Sequence, residues 1–308
     1  MCSISSLPRK PLFILDFDNT ITTKDTISAL FSQVLKFQGS LGSDLSEAHS
    51  EIISAYSSDL SAHLEKYIPK QERRRTLRDE ILYQQSLLDV EMRSFERVGK
   101  SSIFKEIDPE QWRSLGRQAV KDGDVQIRGG FDRFIRGPHG AAILWGIVSV
   151  NFSRNFIRGV IEEAASFRSF EQVEIVSNET RPRDGTIIGP DLNDQREVIG
   201  TSDGKLRAMH AILNRRRLYQ RDLGEVFYVG DSGTDIECLV DGNVTGVIIS
   251  PDGKSSLMNA MERIGYKVKH VKKYQEQEQE QEQEYKNNVR ILYWGGDFKE
   301  IMDSPIFR

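Results

Sequence analysis

Two carboxylates stand two residues apart in LFILDFDNT, residues 12–20: Asp16 and Asp18. In an extended chain, positions i and i+2 project to the same side, so both acids face one crevice. Side-by-side carboxylates repel, and the pair needs a cation, a shared proton or good solvation. Alone, it also fits an exposed strand end followed by a helix cap. Three later segments end or begin in similar polar groups: Ser149 lies at the end of AILWGIVSV and Asn151 just after it, Lys205 lies near the start of TSDGKLRAMHAIL, and Asp231 and Asp235 close EVFYVGDSGTD. Four carboxylates brought together demand a hard cation. With no histidine or cysteine at metal-site spacing, all-oxygen ligation favours Mg²⁺ over zinc. A lysine and a serine hydroxyl beside such an ion suit a phosphate, one as a point charge and the other as a hydrogen-bond donor. Backbone N–H groups at helix starts complete such a cradle.

The elements that position these groups follow from hydrophobic periodicity. Leu12 to Leu15 form an apolar run of the kind found in parallel strands covered on both faces. Residues 142–150, 173–178, 225–230, 244–250 and 289–294 are further strand candidates, and Arg181 to Pro190, with turn residues around Thr186 to Ile188, fit a small hairpin. Helical spacing dominates residues 26–120. One helix carries Ile27 to Leu35 and is broken by Gly39 to Ser43; a second continues to Leu64. Pro69 opens a third through Leu77, Ile81, Leu88 and Met92, and Pro109 opens a fourth with Trp112, Leu115 and Ala119. The basic run Arg73 to Arg75 reads as a solvated helix face. Helices also follow Ile127–Gly130 and Asn151, and another begins near Ser202 or Asp203 as its cap. Alternating strands and helices make a doubly wound, Rossmann-like α/β sheet, in which strand ends converge on one edge. The expected division is a discontinuous α/β core, residues 1–25 and 126–308, with an inserted α-helical cap at 26–125. The tract at 275–284 alternates Gln and Glu without an apolar residue, so it has no face to bury.

Composition narrows the classes. The chain has 308 residues, 38% hydrophobic and 29% charged, with a net charge of −4. That balance suits a soluble globular protein and gives no footprint for nucleic acid. No run is long enough for a bilayer span, and MCSISSLPRK lacks the apolar centre of a signal peptide. Cys2 and Cys238 are far apart and form no disulfide framework. A cytoplasmic setting is expected, with the nucleus also open to such a chain. The five histidines, His49, His63, His139, His210 and His270, are scattered and read as surface or packing residues.

Taken in chain order, these segments resemble the four motifs of the haloacid dehalogenase superfamily phosphatases. DFDNT at Asp16 to Thr20 matches the first motif, Ser149 the second, Lys205 the third, and GDSGTD at Gly230 to Asp235 is similar to the fourth. A helical block between the first two motifs resembles the phosphoserine-phosphatase-like branch, and IRGG at Ile127 to Gly130 is similar to the RPG after its cap. The resemblance implies a Mg²⁺-dependent phosphomonoesterase for a small phosphorylated metabolite, while the charge balance and the lack of a long apolar run lead to no expected nucleic-acid or membrane partner. It makes Asp16 the nucleophile of an aspartyl-phosphate and Asp18 the acid–base. Ser149, Asn151 and Lys205 would bind phosphate. Asp16, Asp18 (through its carbonyl), Asp231 and Asp235 would hold the metal. A phosphotransferase or mutase using the same intermediate is the alternative, and a regulatory binding protein on the same fold is a third. Val150 and Asn151 replace the glycines that phosphoserine enzymes carry after the second-motif serine, so the pocket edge is reshaped.

Overall fold

The computed structural model describes residues 9–137, 143–165, 173–192, 195–220, 223–274 and 290–307. Its central strand, β1 (Lys10–Leu15), buries Leu12 to Leu15 completely, as a four-residue apolar run requires. Helices α1 (Ile27–Ser40), α2 (Ser46–Lys66), α3 (Leu77–Ser86), α4 (Leu88–Ser101) and α5 (Pro109–Lys121) follow. After α6 (Phe131–Arg136) the chain enters β2 (Leu144–Val148), α7 (Arg154–Ala165) and β3 (Glu174–Val176). Two short antiparallel hairpins come next: β4 (Glu179–Thr180) with β5 (Ile187–Ile188), and β6 (Asp191–Leu192) with β7 (Gln195–Arg196). Then α8 (Ser202–Tyr219), β8 (Leu223–Gly230), α9 (Ile236–Leu239), β9 (Thr245–Ile249) and α10 (Ser256–Arg263) alternate. The described chain ends with β10 (Tyr266–His270), β11 (Arg290–Gly295) and α11 (Phe298–Met302).

Seven strands form one parallel sheet in the order β10-β11-β9-β8-β1-β2-β3. This is the doubly wound α/β architecture expected from the sequence. β1 pairs with β2 on one side and β8 on the other. The strand order therefore reverses beside β1, and its C-terminal end opens on the switch-point crevice. Period-two alternation divides the core between the two faces. Phe13 and Leu15 pack with residues of α1, α5, α6 and α7. Leu12 and Ile14 pack with residues of α8, α9 and α10. α5 crosses α7 at backbone contact. A Cβ on Gly116 would lie 2.2 Å from the Phe156 carbonyl oxygen, and one on Gly159 would lie 2.0 Å from that of Arg113. Only glycine lets the two helices approach so closely.

Several local expectations need correction. Pro69 does not open a helix. α3 starts at Leu77, because Thr76 and Asp79 form a reciprocal capping box at its N-terminus. Leu88 and Met92 belong to a separate helix, α4. Arg73, which closes a short 3-10 turn, and Arg75 are exposed ahead of α3, but Arg74 between them is not. Arg74 is buried, donates from Nε to Glu80 Oε1 at 3.0 Å and lies 3.9 Å over the Tyr83 ring. Glu80 also receives Arg263 of α10, which ties α3 to the sheet side of the molecule. The N-cap of α8 is Thr201, not Ser202 or Asp203. Strand β10 and the second hairpin were not anticipated. At the C-terminal end, Ile306 is buried and Phe307 packs against Phe13 and Phe134. The Gln/Glu tract, Cys2 and His139 lie outside the described residues. Among those described, no helix is long and apolar enough to cross a membrane.

Candidate active site

The parallel register brings the polar strand ends together. Asp16 follows β1, and its N–H donates to the Val229 carbonyl at 2.8 Å, which extends the β1–β8 pairing to the first acid. Lys205, in the first turn of α8, is buried and donates from Nζ to Asp16 Oδ1 at 2.7 Å and to Asp235 Oδ1 at 2.8 Å. Ligand atoms of Asp16, Asp231 and Asp235 all lie within 4.8 Å of one another. These are carboxylate oxygens close enough together for one hard cation such as Mg²⁺ to reach more than one of them.

The three acids differ in what already holds them. Asp235 is saturated. Oδ1 accepts from Lys205 and from the Tyr228 hydroxyl at 2.7 Å. Oδ2 accepts from the Asp231 and Ser232 N–H groups at 3.1 and 3.0 Å and from Ser232 Oγ at 3.1 Å. Gly230 makes room for it, since a Cβ there would lie 2.4 Å from the Asp235 carboxyl carbon. Asp231 Oδ1 accepts one hydroxyl, from Thr20 at 3.1 Å. Asp235 thus fixes the loop, and Asp231 and Asp16 keep capacity for a ligand.

Asp18 sits apart from the acidic cluster. Its Oδ1 accepts from Thr26 N–H at 2.8 Å and Thr26 Oγ1 at 2.6 Å, and its Oδ2 from Asn151 Nδ2 at 3.2 Å. The side chain is therefore no member of the metal-binding group, and only its backbone carbonyl remains for that role. Asn151 steadies the Asp18–Thr26 pair, and its N–H donates to Ser149 Oγ at 3.0 Å. Ser149 and Asn151 are both completely buried. The loop after Asp18 turns through Asn19 at φ 57°, a left-handed conformation that Asn tolerates better than most residues. Buried Arg128 pins that loop. Its Nε donates to the Thr20 carbonyl at 2.9 Å, and its Nη2 to the carbonyls of Asn19 and Thr22.

Burial controls the protonation of these acids. Desolvation pushes Asp16 well above the usual carboxylate range against the pull of Lys205, with Asp235 and Asp231 raising it further. Desolvation, with Asp25 adding to it, lifts Asp18 to about 6 despite the Thr26 and Asn151 hydrogen bonds. Desolvation and the charge of Asp235 lift Asp231 to about 7. For Lys205, burial alone would lower the pKa, but Asp16 and Asp235 overcome it and keep the ammonium charged. A cavity of about 420 Å³ opens over the acids and is walled by Asp16, Asp18, Lys205 and Asp231 below and by residues of α1, α2 and α4 above. Such a floor can hold a cation, fix a phosphoryl group and supply both a nucleophilic carboxylate and a carboxylic acid.

The structure brings together Asp16, Asp231, Asp235 and Lys205, which the sequence motifs had singled out. The sequence reading did not single out Thr20, Thr26, Tyr228 and Ser232, which hydrogen-bond to the acids, or Arg128, which holds the loop after Asp18. Thr20 sat inside the quoted DFDNT and Arg128 inside IRGG, so position relative to the motifs was the available signal. Tyr228 had none beyond lying in the β8 run.

The chain matches no protein-family model. Over 272 residues it is 24% identical to Cold tolerance protein 1 of Saccharomyces cerevisiae, covering 83% of this chain and 84% of that protein. Among solved structures, cytosolic 5'-nucleotidase IIIB bound to cytidine is similar with a TM-score of 0.51 at 12% identity, over 97% of this chain and 84% of that one. A phosphoserine phosphatase, as a phospho-aspartyl intermediate analogue, is matched with a TM-score of 0.44 at 15% identity, over 83% of this chain and 91% of that one. The nucleotidase likeness spans nearly the whole chain and agrees with the fold expected from the motifs.

Proposed function

We propose that this chain is a Mg²⁺-dependent phosphomonoesterase that hydrolyses a small phosphorylated metabolite through an aspartyl-phosphate on Asp16. The observation that carries the reading is the shared Lys205 ammonium between Asp16 and Asp235, with Asp231 alongside, on the floor of a closed-over cavity. Lys205 holds Asp16 in position and offers its charge to the phosphoryl oxygens. Asp16 attacks phosphorus as the bond to the leaving oxygen breaks. Asp18, held by Thr26 and Asn151, gives its proton to that oxygen. It then takes one from the water that cleaves the acyl phosphate. A carboxyl lifted to about 6 is suited to both transfers near neutrality. A Mg²⁺ ion held by Asp16, Asp231 and the Asp18 carbonyl would offset charge on the phosphoryl oxygens. Asp235 would orient this set, and Ser149 and Asn151 would complete the phosphate pocket and its support.

Helices α1 to α5 act in this reading as the cap that excludes water and chooses the leaving group. A cytoplasmic setting accords with the buried free thiol of Cys238. The test is release of inorganic phosphate from para-nitrophenyl phosphate with Mg²⁺ present. Wild type turns over, and Asp16→Asn does not; equal rates for the two proteins contradict the reading.

A further inference from the structure

Above the acidic floor, the cavity wall is largely apolar. It includes Ile52 and Val98 and a ring cluster of Phe31, Phe95 and Phe152. Phe31 and Phe95 both meet Phe152 edge-on, with centroids 6.1 and 5.6 Å away. A polar pair interrupts this wall, which also carries Ser28 and Ser94. The Tyr56 hydroxyl on α2 donates to Glu91 Oε1 on α4 at 2.9 Å. Among the described residues, no lysine, arginine or histidine forms an ion pair with Glu91. Its burial raises the carboxyl above its ordinary range, with the Tyr56 hydrogen bond opposing.

The charge inventory of the cavity is lopsided. Five carboxyl groups line it, including Glu91 and, near the mouth, Asp25, and Lys205 is the one basic side chain among the described lining residues. With a Mg²⁺ ion and a phosphate dianion cancelling in formal charge, Lys205 paired with Asp16 and Asp18 carrying its proton, Asp25, Asp231 and Glu91 remain unanswered among these lining groups. A substrate with a second anionic group would set it against Glu91 with no counter-cation. A neutral substrate would leave Glu91 with a single hydrogen-bond donor in a partly dehydrated pocket. A cationic nitrogen satisfies both the carboxylate and the aromatic rings, whose faces attract positive charge.

We propose that the site takes the phosphate monoester of a compact apolar alcohol or phenol bearing a cationic nitrogen. The cation pairs with Glu91, and the apolar body lies against Phe31, Phe95 and Phe152. This inference rests on the phosphomonoesterase reading above and deepens it to a substrate class. A cavity of about 420 Å³ limits the leaving group to a small molecule. Tyr56 is a positioning residue that holds the Glu91 carboxylate toward the space the cation fills.

The test compares kcat/KM for three esters of like size: tyramine O-phosphate, para-propylphenyl phosphate and the O-phosphate of para-hydroxyphenylpropionate. Cytidine monophosphate serves as a fourth, aromatic but non-cationic, leaving group. The expected order is amine over neutral over carboxylate, with amine exceeding neutral by at least about tenfold, as suits a hydrogen bond to a charged group. In Glu91→Gln the amine-to-neutral ratio falls to within about twofold of unity. The inference is overturned if the neutral ester, the carboxylate ester or cytidine monophosphate is turned over best, or if the ratio survives in Glu91→Gln. The wild-type ranking decides the matter by itself should the variant not fold. Phosphate release from the neutral ester that vanishes in Asp16→Asn establishes the underlying hydrolysis separately. A flat ranking together with that result overturns the substrate class alone.

Discussion

On the floor of the cavity, each carboxylate of the cluster is answered by named donors. Asp235 accepts from Lys205, Tyr228, Ser232 and the Asp231 N–H, while Asp16 shares the same lysine. On the opposite wall, Glu91 has one donor, Tyr56, amid aliphatic and aromatic side chains. The floor is a preorganised electrostatic network, in which each position depends on several others. The wall is an apolar surface continuous with the buried core, with the Glu91 carboxylate set into it. The first kind of construction fixes a reaction and tolerates little change. The second selects a substrate and can be altered by a residue at a time.

The strongest way to break this contrast is at Asp16. Asp16→Asn is expected to lower kcat by at least about four orders of magnitude for any phosphomonoester, since losing the nucleophile removes the covalent route. Chelation of divalent cations should bring a loss of comparable scale that added Mg²⁺ restores. Residual turnover above that level would show that the floor is not the reacting region. Next in size is Lys205→Met, which leaves Asp16 and Asp235 buried together without their shared cation. A loss of about 3–5 kcal/mol in urea unfolding is expected, the range for breaking one partner out of a buried charge set. A variant as stable as wild type would contradict the network. Tyr228→Phe removes one donor of several from Asp235 and should cost about 1–2 kcal/mol by the same measurement. The smallest effect belongs to the wall. Phe152→Leu should raise KM for aryl phosphates about fivefold while kcat stays within about twofold, the size expected for trimming an apolar contact. A larger fall in kcat than in affinity would mean that the wall also positions the reacting groups.

The same contrast explains what was legible from sequence alone. Parallel strands buried on both faces appear as unbroken apolar runs, so β1, β2, β8, β9 and β11 stood out, and the acids and serine at their ends came with them. β10 did not, because YKVKH alternates lysines with apolar residues on an edge strand of the sheet. Helix starts were misplaced where side-chain capping overrode proline. Thr76 with Asp79 set the start of α3, whereas Asp108 with Gln111 capped α5 where Pro109 had been expected to open it. Arg74 looked like a surface charge because its partners, Glu80 and Tyr83, become neighbours only once the chain folds. The Tyr56–Glu91 pair was invisible for a similar reason. The two residues lie on separate helices, and nothing in the local composition of either points at the other.

The central claim is the phosphoenzyme at Asp16, and rapid acid quenching of the Asp18→Asn variant during turnover of an aryl phosphate tests it most directly. An aryl leaving group departs with little need of a general acid, whereas in the proposed mechanism hydrolysis of the acyl phosphate still needs Asp18 as base, so the intermediate should accumulate. Peptide mass spectrometry should then find one phosphoryl group on the peptide containing Asp16, absent when Mg²⁺ is chelated. A phosphoryl group on any other residue, or continued turnover with none on Asp16, would contradict the account.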